Sequence, residues 1–201
     1  MVRQAVGGTT NLAHSPMMMD STTEKNLVLK AQKGDRESQA KLVEYLWDKI
    51  YRWLFRLTHD GHTAEDLTQE SFVKALTNLH RFKPGTNFTA WVFRIAHNNF
   101  VNHCRSKGRI RKPLPDEIAS RKIGPVDEVV SEESVQKLSR IIDEMPLEFK
   151  SVLLLRMEQD LSFREIAGIL DLTEETARWR VFRARQKLLE ALEPNQELEK
   201  P

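Results

Sequence analysis

The chain of 201 residues contains a single cysteine, Cys104, and no hydrophobic run that approaches the length of a membrane span. One cysteine cannot form an intramolecular disulfide, which fits a protein of a reducing compartment. A helix that crosses a bilayer needs about 20 consecutive apolar residues. The segment 1–16 also lacks the apolar centre of a secretory signal. We therefore expect a soluble, cytosolic protein that does not insert into a membrane.

Negative charge is missing from one long stretch of the chain. The formal net charge is only +2, but residues 71–115 include no Asp or Glu. The basic residues of this stretch are Lys74, Arg81, Lys83, Arg94, Arg105, Lys107, Arg109, Arg111 and Lys112. Cations without neighbouring carboxylates are typical of a surface that binds a polyanion. The stretch therefore favours a nucleic acid as a partner.

Helical periodicity dominates the chain, and no strand-like alternation is present. The expected helices are 21–33, 36–58, 64–79, 89–109, 130–145, 146–159, 162–170 and 174–192, with Thr63 as the cap of the third. The second carries one apolar stripe formed by Leu42, Leu46, Ile50, Trp53, Leu54 and Leu57. We predict an all-α fold of two small domains, 21–112 and 130–193. A flexible, acidic, proline-containing linker (113–129) joins the two domains. A disordered N-terminal extension (1–20) precedes the first domain, and a tail (194–201) follows the second.

A helix-turn-helix pattern lies near the C-terminus. Ser162 and Glu165 have the capping-box spacing, and Thr173 can cap the second helix after a three-residue turn. The apolar face of that second helix is formed by Ala177, Val181, Ala184 and Leu188. The outward and flanking positions are Thr176, Arg178, Trp179, Arg180, Arg183, Arg185 and Lys187. This basic face suits the contacts of a recognition helix with DNA, although a solvated surface helix would have a similar composition.

Aromatic residues are interleaved with the cations of the N-terminal domain. Phe82 and Phe88 bracket the Pro84-Gly85 loop, and we expect them to be exposed for stacking on unpaired bases. Trp91 and Phe100 are expected in the core instead.

Two other classes of protein, a dimeric regulator and an enzyme that acts on nucleic acid, are alternatives to a two-part DNA-binding protein. A dimeric helix-turn-helix regulator would explain the C-terminal domain but not a basic, aromatic N-terminal one. A nuclease usually needs clustered carboxylates for metal ions, which the basic stretch lacks. His97, His103 and Cys104 could be imagined as a metal site, but His103 and Cys104 are adjacent and point apart on a helix. We expect no catalytic group, metal, cofactor or small-molecule substrate.

Three segments in order resemble one protein family over about residues 22–192. They are AEDLTQESFVKAL, then FTAWVFRIAHNNFVNHCR, then FKSVLLLRMEQDLSFREIAGILDLTEETARWRVFRARQKLLEAL. Their order resembles the extracytoplasmic-function class of bacterial sigma factors. The resemblance implies an initiation factor that brings core RNA polymerase to promoter DNA, with an anti-sigma protein as a candidate partner.

The resemblance also implies roles for particular residues. Asp66, Gln69 and Glu70, which share a helical face, would contact core polymerase. The residues implied in binding and opening the minus-10 element are Phe82, Asn87, Phe88, Arg94, Asn98, Asn102, Arg105 and Arg109. Those implied in reading the minus-35 element are Thr176, Arg178, Trp179, Arg180, Arg183 and Lys187. The acidic linker would thread the nucleic-acid channel of the polymerase.

Overall fold

The computed structural model of the protein describes residues 21–108 and 132–192. The predicted extension 1–20, linker 113–129 and tail 194–201 lie outside these residues, as does Arg109. The described helices are α1 (Ser21–Gln32), α2 (Arg36–Thr58), α3 (Gly61–Thr77), α4 (Phe88–Ser106), α5 (Glu132–Glu144), α6 (Leu147–Glu158), α7 (Phe163–Leu170) and α8 (Glu174–Leu192). A short 3-10 helix, Leu79–Arg81, lies between α3 and α4. The described part of the chain contains no strand, which confirms the all-α prediction.

The N-terminal unit, α1–α4, is built around the apolar stripe of α2. Every stripe residue is buried, and the Trp53 ring meets Phe93 of α4 edge-on, with ring centroids 5.5 Å apart. Asp35 starts the helix, because its side chain accepts a hydrogen bond from the Ser38 backbone. The stripe therefore fixes α2 as the central helix against which α1, α3 and α4 pack.

The cap of α3 differs from the sequence-based expectation. The Asp60 carboxylate accepts a hydrogen bond from the Thr63 backbone N–H at 2.7 Å, so the helix begins at Gly61 and Thr63 lies inside its first turn. Thr63 was the wrong choice because a carboxylate three residues earlier satisfies that amide. This earlier start lengthens the outer face of α3 toward its N-terminus.

The C-terminal unit, α5–α8, contains the predicted helix-turn-helix. The capping box of Ser162 and Glu165 opens α7, and the Thr173 hydroxyl accepts from the Thr176 N–H at 3.1 Å to start α8. Between the helices, Asp171 adopts a left-handed conformation with φ 57°, which turns the chain sharply. The four apolar positions of α8, Ala177, Val181, Ala184 and Leu188, are all buried, as predicted.

The two units pack on each other, with α4 against α7 and α2 against α6. Polar contacts cross this boundary. Arg56 Nε lies 3.0 Å from Asp143 Oδ1, and Lys150 Nζ lies 3.0 Å from His59 Nε2. Lys150 is buried, and burial lowers the pKa of its ammonium group.

Candidate nucleic-acid interface

The loop before α4 is held from inside by its aromatic residues. Phe82 and Phe88 are only 4% and 3% exposed, and their rings meet edge-on at a centroid distance of 5.2 Å. Both rings also contact Trp91, which is half buried. The prediction that Phe82 and Phe88 are exposed for stacking is therefore wrong, because the two rings form a small core under the loop with Trp91. Phe100 is buried, as expected.

Asn87 has two roles in the structure. Its Oδ1 accepts a hydrogen bond from the Ala90 N–H at 3.0 Å, which caps α4. Its Nδ2 donates to Glu165 Oε1 of α7 at 2.6 Å. A predicted minus-10 residue is thus also the polar link between the loop and the helix-turn-helix. The Asn87 and Ser162 contacts lower the pKa of the Glu165 carboxyl, while burial opposes them as the largest single influence.

A cleft of about 320 Å³ lies between α3 and α4. Its lining residues are Lys74, Asn78, Arg81, Trp91, Ile95, Asn98, Asn99 and Asn102. Asn98 and Asn102, both predicted as minus-10 residues, are exposed at its rim. Amide side chains offer donors and acceptors together, and the Trp91 ring adds an apolar wall. The cleft therefore has the chemistry to hold an unpaired base.

Sequence reasoning did not assign Lys74, Asn78, Trp91, Ile95 or Asn99 to this cleft. The signal was present in α4, where positions 91, 95, 98 and 102 recur at helical spacing and so share one face. The contributions of α3 and of Arg81 come from tertiary packing. Arg81, Lys83, Arg94, Arg105 and Lys107 are exposed around the loop and α4.

A polar network connects the cleft to the outer face of α3. Lys74 Nζ donates to Glu70 Oε1 at 2.6 Å and to Asn99 Oδ1, also at 2.6 Å. Asn99 is buried, and its Nδ2 donates to Ser71 Oγ at 3.0 Å. The ammonium group of Lys74 therefore fixes the orientation of the Asn99 amide.

The three residues predicted to contact polymerase, Asp66, Gln69 and Glu70, are exposed on that outer face. Asp66 Oδ2 lies 3.2 Å from His62 Nδ1, one turn earlier. Val73 follows on the same face with 64% of its surface exposed. The face offers carboxylates and an amide beside an apolar side chain, which suits a protein partner that carries complementary cations.

The outward face of α8 is less uniform than the sequence suggests. Arg183 is exposed, and its Nη1 donates to Gln186 at 2.7 Å. Arg178 pairs with Glu174 at 3.1 Å and lies over the Phe163 ring. These two arginines are accessible along the helix, as are Lys187 and Arg185.

Trp179 does not project freely from α8, contrary to the prediction. Its ring is half buried against Phe149 of α6, with ring centroids 5.9 Å apart. The indole Nε1 is buried with no hydrogen-bond partner among the described residues. Lys187 Nζ also lies 5.8 Å from the centre of the Phe149 ring. Trp179 is half buried at its position on α8 because Phe149 provides an aromatic partner beside it.

His97 lies at the packing of α4 against α7. Burial lowers the pKa of His97 to about 4, and the opposing influences of the Asp171 carboxylate and the Ile169 backbone are smaller. The imidazole is therefore neutral at physiological pH. In the described ranges, no three His, Cys, Asp or Glu side chains converge as metal ligands. Nor does any described helix have the length and apolarity to cross a membrane.

The chain matches two known sequence families. Residues 42–110 match the family described as Sigma-70 region 2, and residues 135–188 match Sigma-70, region 4. The chain is 30% identical over 185 residues to the ECF RNA polymerase sigma factor SigW of Bacillus subtilis, covering 84% of this chain and 96% of SigW. It is 31% identical over 189 residues to the RNA polymerase sigma-H factor of Pseudomonas aeruginosa, covering 88% of this chain and 97% of that relative.

Two solved structures share the fold. CnrH in complex with the cytosolic domain of CnrY matches with a TM-score of 0.61 at 20% identity, covering 84% of this chain and 96% of CnrH. The sigma factor RpoE of Bartonella quintana, in complex with the anti-sigma factor NepR, matches with a TM-score of 0.60 at 23% identity. The match covers 78% of this chain and 98% of the solved one.

The matches define a class of protein, the transcription initiation factors that give RNA polymerase its promoter specificity. Within that class, the chain belongs to the extracytoplasmic-function group of the sigma-70 family.

Proposed function

We propose that the N-terminal unit binds and opens the minus-10 element and that α8 reads the minus-35 element, while core RNA polymerase docks on α3. The observation that carries this assignment is the cleft between α3 and α4. It combines asparagine amides with an aromatic wall, and exposed cations surround it. Amides read base edges, aromatic faces stack on unpaired bases, and cations hold phosphates.

The opened strand would enter this cleft and leave the loop aromatics in place. Phe82 and Phe88 are buried and support the loop, so Asn98, Asn102 and Trp91 are better placed to meet an extruded base. Arg94 and Arg105, exposed on the same helix, would hold the flanking phosphates. Phe82 and Phe88 thereby act as positioning residues, and Asn87 keeps its role as the cap of α4.

In the C-terminal unit, Arg183 is the strongest candidate for a base contact. It is exposed on α8, and a guanidinium can pair with the two major-groove acceptors of guanine. Arg185, exposed on the flank, would contact a phosphate. Thr176, Arg178, Arg180 and Lys187 complete the proposed minus-35 surface. The buried Nε1 of Trp179 points to a packing role for this side chain.

The partners of this site follow from the family and from the exposed faces. Asp66, Gln69 and Glu70 present carboxylates and an amide to core polymerase. CnrH was solved in complex with the cytosolic domain of CnrY, and RpoE was solved in complex with the anti-sigma factor NepR, a regulator. A regulator of that kind is a candidate partner here as well. Because its partner enzyme is cytoplasmic in bacteria, we propose that the chain acts there without catalysing a reaction itself.

The experiment that tests this function is transcription in vitro with core polymerase and a library of randomised promoter fragments. The parental chain should select two conserved elements. Arg183→Ala should relax the preference at one minus-35 position, with a loss of about 1–3 kcal/mol, whereas Arg185→Ala should weaken all sequences alike and lower the salt slope by about one. Asn98→Ala should relax the minus-10 element only. If no fragment is selected, the proposed function is wrong.

A further inference from the structure

The network around Lys74 links the two proposed binding faces of α3. Glu70 lies on the face proposed for polymerase, and Asn99 lies in the cleft proposed for the promoter strand. The ammonium group of Lys74 donates to both residues at 2.6 Å. An ammonium group has three protons, so these two bonds leave one donor for a further acceptor.

Glu70 neutralises Lys74 in the free chain. The side chains of Lys74 and Glu70 are 46% and 50% exposed, so water screens the attraction between them. Another cation can therefore replace Lys74 as the partner of Glu70 at little cost. If a cation of the polymerase paired with Glu70, the Lys74 ammonium group would keep its bond to Asn99 and lose its neutralising carboxylate. Its full charge would then face the cleft, where a phosphate could replace the carboxylate as its partner.

We propose that Lys74 is a positioning residue that couples polymerase docking to promoter binding: engagement of Glu70 releases the charge of Lys74 to the cleft between α3 and α4. This inference rests on the proposed function of both faces. The inference goes beyond that function, because the polymerase face and the cleft could each bind its partner without any coupling between the two. The coupling needs only one ion pair to be exchanged, with no movement of a helix.

The free chain offers a direct test, because Glu70→Gln imitates the loss of the carboxylate as an ion-pair partner. The probe is a fluorescein-labelled single-stranded DNA of random sequence, and the measurement is its affinity across a range of salt concentrations. Glu65→Gln is the matched control, since Glu65 is exposed on the same helix more than two turns from Lys74 and undergoes the same change in charge. Both variants gain affinity from the lost negative charge, so only their difference reports the release of Lys74.

The expected result is a severalfold greater gain for Glu70→Gln than for Glu65→Gln. The salt dependence should also become steeper by about 0.7, the value of one added phosphate contact on a single strand. The difference should vanish in a Lys74→Met background and persist in a Lys74→Arg background, where the charge is kept. Equal gains for the two glutamine variants, or a difference that survives Lys74→Met, would overturn the coupling. Failure of the parental chain and of every variant to bind the strand would instead count against the proposed function.

Lys74→Met removes a hydrogen bond to Asn99, so a measurement in the complex with polymerase complements the comparison of the glutamine variants in the free chain. The variant should bind core polymerase at least as tightly as the parental chain, because Glu70 no longer pairs with Lys74. Its complex with selected promoter fragments should lose about 0.7 of the salt slope. Lys74→Arg should restore that slope. A Lys74→Met complex with the parental slope would refute the proposal.

Discussion

Protonation of His97 should weaken the fold at mildly acidic pH. Burial between α4 and α7 lowers the pKa of this imidazole from 6.5 to about 4, so the folded chain excludes a proton that the unfolded chain binds below pH 6.5. The stability that depends on a neutral His97 is therefore fully present above pH 6.5, and it is lost progressively as the pH falls from 6.5 toward 4. With these two values, linkage gives a loss of about 1.4 kcal/mol at pH 5.5 and almost none at pH 7.5.

The assay is urea unfolding of the parental chain and of His97→Leu at pH 7.5 and 5.5, followed by circular dichroism. The leucine keeps an apolar side chain beside Trp53, whose ring centre lies 6.4 Å from that of His97, and it cannot titrate. All other pH-dependent contributions are common to the two proteins, so they cancel in the comparison. The parental chain should lose about 1.4 kcal/mol more than the variant between the two pH values. An identical loss in both proteins would refute the assignment of a buried, neutral His97.

Two further perturbations test the loop core and the polymerase face. Phe88→Ala should lower the free energy of unfolding by about 3–5 kcal/mol, because it removes a ring packed against Phe82 and Trp91; a loss below 1 kcal/mol in urea unfolding would contradict its burial. Glu70→Lys should weaken the binding of core polymerase in a pull-down without changing the urea midpoint by more than a small amount, since Glu70 is exposed. The charge-matched control is Glu37→Lys on the outer side of α2, and equal binding by both variants would remove Glu70 from the polymerase contact.

Periodicity in the sequence was enough to predict the helices and much of their packing. The stripe of α2 and the buried face of α8 follow from spacing alone, because a helix places every third or fourth residue on one side. The capping box of Ser162 and Glu165 is equally local. These features depend on residues close in sequence, so their signals survive without any knowledge of the tertiary fold.

The errors at Phe82, Phe88 and Trp179 concern contacts that helical periodicity does not describe, whereas the error at Thr63 was a choice between two candidate caps three residues apart. A loop has no period, so nothing local shows that Phe82 and Phe88 turn inward onto Trp91. Trp179 occupies an outward position on α8 and becomes half buried only because Phe149 of α6 lies next to it. The candidate cleft is similar, since the spacing in α4 indicates one wall while the position of Lys74 on the other wall depends on how α3 crosses it.

The packing of α4 on α7 holds α4 and α8 much closer together than the minus-10 and minus-35 elements lie on promoter DNA. Packed helices lie about 8–10 Å apart, so α8, which packs on α7, lies at most about 20 Å from α4. The minus-10 and minus-35 positions are separated by roughly 85 Å of B-form DNA. A chain that holds both elements at once must therefore part α4 from α7. Residues 109–131 connect the two units, and their full extension of about 80 Å limits how far apart the units can move.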